Sequence, residues 1–586
     1  MTSAPPRLLA GRRGWLFAGL AANGIGQAAT ALACAWAVHR FFAAIGDGRF
    51  AVRADLAEPV AAVGTTLAAG LALAALRAVE RVQAERLGQD YAAELRLALF
   101  DAMAGQPPRR MQARSRGATV LRFVGDVRSI RRWVGLGLPR LVAGALGATV
   151  AIGALAALSP TIAAAAVLGF ALGSAVLALL SGRVDGRVRE ARRRQARLAA
   201  NVNDQISAIA VVQVFDQVAR ERQRLARQGD ELAAAMVAQS RGLAVLKSSA
   251  ECGGALASAA VMLAGAAEIA AGALTPAQLV GAITVVGLVA PAFREFGQAL
   301  GCWRTARVSF EKLAAFLAGP RLGESAAAAS AAPATAGADG VGARLPAGEA
   351  VSIEFRGVCL GHALRDFSAV APAGRLVAIV GPSGAGKSTL LALAARLAEP
   401  EAGEVLIAGR PLGDYRLAEL RQSLGVVMPD LPLLRGSIER NLRYRWPRAP
   451  ADEVARVAAL CGIDDLLGEL PAGSRTRVAD AAINLSYGQR QRIAWARALL
   501  GNPAVLLLDE ADANLDPASA QGFARILAGF PGTVLMVTHQ YARLMQADLV
   551  WYVEAGRLAE SGTPAELMDR VGRTRRLFQR EADVAG

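Results

Sequence analysis

Arg375-Leu-Val-Ala-Ile-Val380-Gly381-Pro-Ser383-Gly384-Ala385-Gly386-Lys387-Ser388-Thr389 sets an apolar run of β type before a glycine-rich turn, and a Leu/Ala pattern of helical period follows it. In the order strand, turn, helix, this is a phosphate-binding P-loop. The glycines let backbone N–H groups wrap phosphate oxygens, and the helix N-terminus adds a favourable dipole. Lys387 reaches the outer phosphates and Ser388 ligates magnesium, so Gly381, Ser383, Gly384, Ala385, Gly386, Lys387, Ser388 and Thr389 are the expected nucleotide contacts. Residue usage sharpens the reading: of 65 Lys and Arg residues only Lys247, Lys312 and Lys387 are lysine. A sequence that otherwise writes its cations as Arg keeps Lys where a compact point charge suits a phosphate.

A second apolar strand, Val505-Leu-Leu-Leu508, ends in Asp509-Glu510. The apolar residues drive both carboxylates to the strand's C-terminal edge, beside the P-loop. Asp509 is expected to hold magnesium and Glu510 to orient or deprotonate an attacking water. A solvated acidic turn after a core strand is the plainer alternative, and the P-loop weighs against it.

Leu485-Ser486-Tyr487-Gly488-Gln489, followed by Arg490-Gln-Arg-Ile-Ala-Trp-Ala-Arg497, resembles the signature motif of ABC transporter ATPases. The similarity continues with Asn514-Leu515-Asp516 at the D-loop position and Val537-Thr538-His539 at the switch-histidine position, and runs from about Val351 to Leu567. The resemblance implies that ATP with Mg2+ lies between the P-loop of one subunit and Ser486, Gly488 and Gln489 of another. One P-loop per chain therefore calls for a second half-transporter, identical or different. It also implies that His539 contacts the γ-phosphate, although a lone His after a strand is more often structural. Two positions depart from the family's pattern. His362 stands where an adenine-stacking aromatic is expected and offers a smaller flat face. Pro429 stands where a glutamine links magnesium to the membrane domain and has no side-chain ligand. Asp430, next to it, is the candidate substitute through water.

The first 320 residues are of another kind. Mean hydropathy of +0.33 over the chain comes mostly from Ala, Leu and Val there, in uncharged runs too long for a soluble core. The runs are Gly14 to Val38, Pro59 to Leu76, Leu141 to Leu158, Ile162 to Leu180, Cys252 to Ala267 and Ile269 to Phe293, the last two parted by a turn near Thr275-Pro276. The expected fold is a membrane α-helical bundle of six transmembrane helices, similar to the exporter-type ABC fold, plus an α/β P-loop NTPase domain. Residues 1–319 form the membrane domain, 320–349 an Ala/Gly/Ser/Pro-rich linker, and 350–586 the ATPase domain.

A net charge of +16 suggests nucleic acid by itself, but the arginines cluster between the apolar runs, eleven of them from Arg81 to Arg132. That bias keeps loops on the cytoplasmic side and needs no polyanionic partner. Both termini and the ATPase domain are then cytoplasmic, with residues 45 to 58, 159 to 161 and about 272 to 277 outside. Val79 to Met103 and Val188 to Val218 keep helical period while polar and read as spans extended into the cytoplasm. Glu268, Arg294 and Glu295 are ionisable residues within or at the ends of spans, and such groups face a bundle interior or pair with one another. The five cysteines have no metal-binding or disulfide spacing. The expected function is ATP-driven transport of a small-molecule, peptide or lipid substrate across a bacterial inner membrane, as export. Import by the same fold is the alternative.

Overall fold

The structure is a computed structural model and describes residues 5–46, 57–108, 119–120, 122–181, 184–319 and 349–585. The chain divides into two compact units, the first reaching Gly319. Residues 320–348, expected as linker, and most of the expected outer loop 45–58 lie outside the described residues.

The first unit is helical. Helices within Arg12–Ile45, Ala57–Ala104, Arg122–Leu158 and Glu251–Ala270 are long and apolar enough to cross a membrane, and Pro160–Val176 and Pro276–Leu288 are shorter apolar segments. The count suits six spans. Lipid gives helices no hydrophobic reason to associate, so close backbone approach must supply the packing. One core cluster is accordingly rich in small residues, with Ala35, Ala151, Ala163, Ala166, Ala257 and Ala282 buried around Phe170 and Val261.

Val79 to Met103 lies, as expected, inside one continuous helix, Ala57–Ala104. The turn expected near Thr275-Pro276 is present: Gly272 turns left-handed and Thr275 caps the next helix, Pro276–Leu317, in a reciprocal box with Gln278, so the apolar run from Ile269 is divided there. Two further details were not in the sequence reading. Ahead of the third run, Leu141 to Leu158, lie two π-helical turns, Arg122–Asp126 and Trp133–Gly137, on either side of Val127–Arg132. Val188 to Val218 is not one helix. Val184–Ser207 ends, a short helix Ile209–Val214 follows, and Val218–Ala270 starts after Asp216 adopts a left-handed backbone. Ile206, Ile209, Val211, Val214, Phe215 and Val218 are all exposed at this bend.

In the second unit a six-stranded sheet runs in the spatial order Arg557–Gly562, Leu549–Glu554, Leu376–Val380, Thr533–Val537, Val505–Asp509, Leu424–Val427. All neighbours are parallel except the first pair. Buried on both faces, the central strands read as unbroken Val/Leu/Ile runs. A four-stranded antiparallel sheet, Leu364–Ala371, Ile353–Leu360, Ala402–Ile407 and Arg410–Pro411, shares a core with it, in which the rings of Phe355, Phe367 and Trp551 meet edge to face. In a parallel sheet ligands gather beyond the carboxyl ends of the strands, and the motifs above fall there.

Candidate functional site

Strand Leu376–Val380 delivers the chain into Gly381–Gly386, and the helix Lys387–Ala394 begins at once. Gly386 caps that helix at φ 104°, and a Cβ there would lie 2.4 Å from the carbonyl oxygen of Ala363. Only glycine fits. The same contact brings the turn carrying His362 against the P-loop. The imidazole of His362 is exposed in that turn.

Lys387 is 7% exposed, and its ammonium donates to the carbonyls of Gly381 at 2.7 Å and Pro382 at 3.0 Å. Burial lowers its proton affinity, while the nearby Glu510 and Asp509 carboxylates raise it. Asp509 closes the strand Val505–Asp509, opposite Val537. Its burial pushes the carboxyl above the usual range, an effect the Ser388 hydroxyl bonded to it partly offsets. Asp509 Oδ1 is buried and has no protein donor. An acceptor left open beside a bonded serine hydroxyl is what a hydrated divalent cation requires, so Ser388 and Asp509 fit magnesium.

Glu510 follows in a left-handed conformation at φ 51°, its N–H held by Val537 O at 3.1 Å. The carboxylate thereby leaves the strand direction, and Oε1 lies 3.6 Å from His539 Nε2. Both side chains are about half exposed, so they can meet solvent and phosphate. A network that sequence reading missed fixes the two segments. Buried Asp512 accepts from Thr538 Oγ1 at 2.5 Å, and Gln540 donates to the Asp512 carbonyl at 2.9 Å. Thr538 was visible in the motif; its partner carried no signal.

Ser486 caps the helix Tyr487–Leu499, accepting from Gln489 N at 3.2 Å while Gln489 Oε1 accepts from Ser486 N at 3.0 Å. Leu485 is buried, and the Arg490 guanidinium lies 5.7 Å from the Tyr487 ring centroid. A Cβ on Gly488 would come within 2.8 Å of Asp516 Oδ2. Asp516 in turn caps the helix Pro517–Gly529 by accepting from Ser519 N at 2.9 Å. The signature and the D-loop are thus interlocked within one chain. Pro429 and Asp430 sit exposed in the turn after strand Leu424–Val427, and the negative charge of Asp430 reaches Asp509.

The first unit holds a cavity of about 290 Å³. Arg77, Glu80, Arg81, Arg140, Glu295 and Gln27 supply its polar lining, and Leu32, Leu73, Val285 and Leu288 its apolar one. Gln27 donates to Glu80 at 2.6 Å, and Arg140 to Gln298 at 2.8 Å. Of the ionisable residues singled out in the spans, Glu295 lines this cavity, whereas Glu268 is engaged elsewhere, accepting from Ser159 Oγ at 2.6 Å and from Thr161. The side chain of Arg294 lies outside the described residues. Arg77, Glu80 and Arg81 share one helix face at a spacing legible in the sequence.

Two family models match, that of the ABC transporter transmembrane region over residues 25–291 and that of the ABC transporter over residues 364–513. An ATP-dependent lipid A-core flippase of Xylella fastidiosa is 34% identical over 340 residues, 54% of each chain. A mitochondrial iron-sulfur clusters transporter ATM1 of Gibberella zeae is 37% identical over 227 residues, 38% of this chain and 32% of that one. The chain thus spans about a third to a half of these curated relatives. A solved structure of a bacterial Atm1-family ABC exporter with ATP bound superposes with a TM-score of 0.86 at 24% identity, covering 97% of this chain and 98% of that one. At that identity the likeness speaks for the fold.

Proposed function

The chain belongs to the ABC transporter family, with a transmembrane region and an ATPase domain in one polypeptide, and on that premise we propose that it is one half of an ATP-driven exporter. The observation that carries the reading is the convergence of Lys387, Ser388, Asp509, Glu510 and His539 around the P-loop. Lys387 exchanges its two carbonyls for phosphate oxygens. Ser388 and Asp509 would hold magnesium, which when bound would neutralise charge on the phosphates. Glu510 orients or deprotonates the attacking water, and His539 contacts the γ-phosphate. His362, in the turn packed on the P-loop, stacks on adenine. Leu485, Ser486, Tyr487, Gly488 and Gln489 face ATP held by a second half-transporter, identical or different, and Asp516 fixes their first turn.

The cavity is the substrate's path. Three guanidiniums, two carboxylates and an apolar wall suit an amphipathic solute that carries an acidic group, a class that includes lipids and modified peptides. The similarity to a lipid A-core flippase and to an iron-sulfur clusters transporter is compatible with that class. The exposed apolar bend from Ile206 to Val218 is a surface suited to a protein partner. ATP-dependent uptake of labelled acidic amphiphiles into inverted vesicles tests this reading, and uptake unaffected by Arg140→Ala would refute the assigned path.

We place the chain in a bacterial inner membrane on its half-transporter layout, and the arginine bias puts both termini on the cytoplasmic side. In a cysteine-free background, Phe50→Cys is expected to react with an impermeant maleimide from outside, and Glu190→Cys only after permeabilisation. The reverse pattern would overturn the topology.

Asp430 would take, through water, the contact to magnesium that Pro429 lacks. Asp430→Ala should therefore need about 10-fold more Mg2+ for half-maximal ATPase and lose substrate stimulation, while Pro429→Gln changes either quantity little. A rise in stimulated turnover on Pro429→Gln would assign the role to the missing amide instead.

A further inference from the structure

We infer that Arg497 is a positioning residue for the magnesium end of the nucleotide site, acting through the loop that carries Asp430. The inference rests on the ATP-hydrolysing reading above. Strand Leu424–Val427 runs beside Val505–Asp509, with Val427 opposite Leu508, so the chain leaves the sheet next to Asp509. It then turns, Leu431 N donating to Met428 O at 3.0 Å, which puts Pro429 and Asp430 at the tip. Both residues at that tip are exposed, so no side-chain packing holds them in place.

Rigidity comes from the far side of Asp430. Arg497 belongs to the last turn of the helix Tyr487–Leu499, and its guanidinium donates to Leu431 O at 2.8 Å and to Pro432 O at 3.1 Å. Asn441, fully buried, then exchanges two hydrogen bonds of 2.8 Å with the backbone of Leu434. The loop is therefore clamped within four residues of Asp430. No carboxylate pairs with Arg497 among the described residues, and burial weakens its hold on the proton. A sequence that needed only to fill this space would place Met or Leu there, since desolvating a cation without a counter-ion is unfavourable. What the cation supplies is a fork with fixed geometry on two successive carbonyls.

The helix bearing Arg497 is capped by Ser486, so the same helix grips the magnesium-side loop at its end and carries the signature residues Ser486 to Gln489 at its beginning.

The test uses the full chain carrying Glu510→Gln, so that binding is read without turnover. Mn2+ binding in the presence of ATP is followed by electron paramagnetic resonance, and ATP binding without metal by equilibrium dialysis. Arg497→Met is expected to weaken Mn2+ about 10-fold while leaving metal-free ATP affinity within about twofold, and Arg497→Lys to lie between the two. Adding Asp430→Asn to Arg497→Met should weaken Mn2+ no further, because both changes remove the same contact. The inference is overturned if Mn2+ affinity is unchanged in Arg497→Met and Arg497→Lys, if Asp430→Asn alone has no effect, or if the two effects multiply. A merely fastening role would instead lower the melting temperature with metal affinity intact. If Glu510→Gln by itself binds no Mn2+ with ATP, the nucleotide-site reading fails, and this inference falls with it by a separate result.

Discussion

Glu510→Gln is expected to retain ATP and Mg2+ and to hydrolyse ATP slower by on the order of 10²-fold or more. The amide keeps the size of the carboxylate, and the left-handed backbone at this position is fixed by the Val537 carbonyl, not by the side chain. What disappears is the acceptor that aligns water and takes its proton. The change also removes one negative charge from beside Lys387, so ATP binding should hold or tighten. Purified protein should show ATP trapped in filter-binding with hydrolysis near background. Parental turnover in this variant would show that the chemistry is done elsewhere, in a partner's site.

Gly488→Val is expected to abolish ATP-driven turnover, again on the order of 10²-fold, with ATP binding at the chain's own P-loop within about twofold of the parent. The added side chain starts 2.8 Å from Asp516 Oδ2 and 3.3 Å from Ser519 Oγ. Asp516 is not free to retreat, because it caps the helix Pro517–Gly529, and uncapping costs about 1 kcal/mol. The first turn of the signature helix must shift instead, and it takes with it the backbone donors meant for ATP on the opposite subunit. Comparing nucleotide affinity with steady-state ATPase separates the two effects. Normal turnover in this variant would mean that the signature never engages nucleotide.

The ATPase half was legible because its chemistry is written locally. Strand, glycine turn and helix follow one another from Leu376 to Ala394, and the motif spacing alone puts Asp509 and Glu510 at a strand end. The membrane helices were legible from apolar length. What stayed hidden has a common cause, since it depends on neighbours distant in sequence. Arg497 looks like any surface cation of a helix until the loop 65 residues earlier is folded against it. Asp512 gives no sign of Thr538, and Arg140 no sign that it shares a cavity with Glu295. Period also failed at Val188 to Val218, because hydrophobic spacing continues across two breaks, one at Ala208 and one at the left-handed Asp216.

The scarcity of lysine has a practical edge. All but three of the 65 basic side chains are guanidinium groups, so amine-directed cross-linkers and acylating reagents find very few targets on this chain. One of those amines, on Lys387, is held by two carbonyls within the P-loop. A protease that cuts only after lysine has a single recognition bond in the ATPase half, immediately before Ser388. Bound phosphate would cover that bond, and the appearance of its two fragments becomes a gauge of nucleotide occupancy that needs no label and no introduced residue.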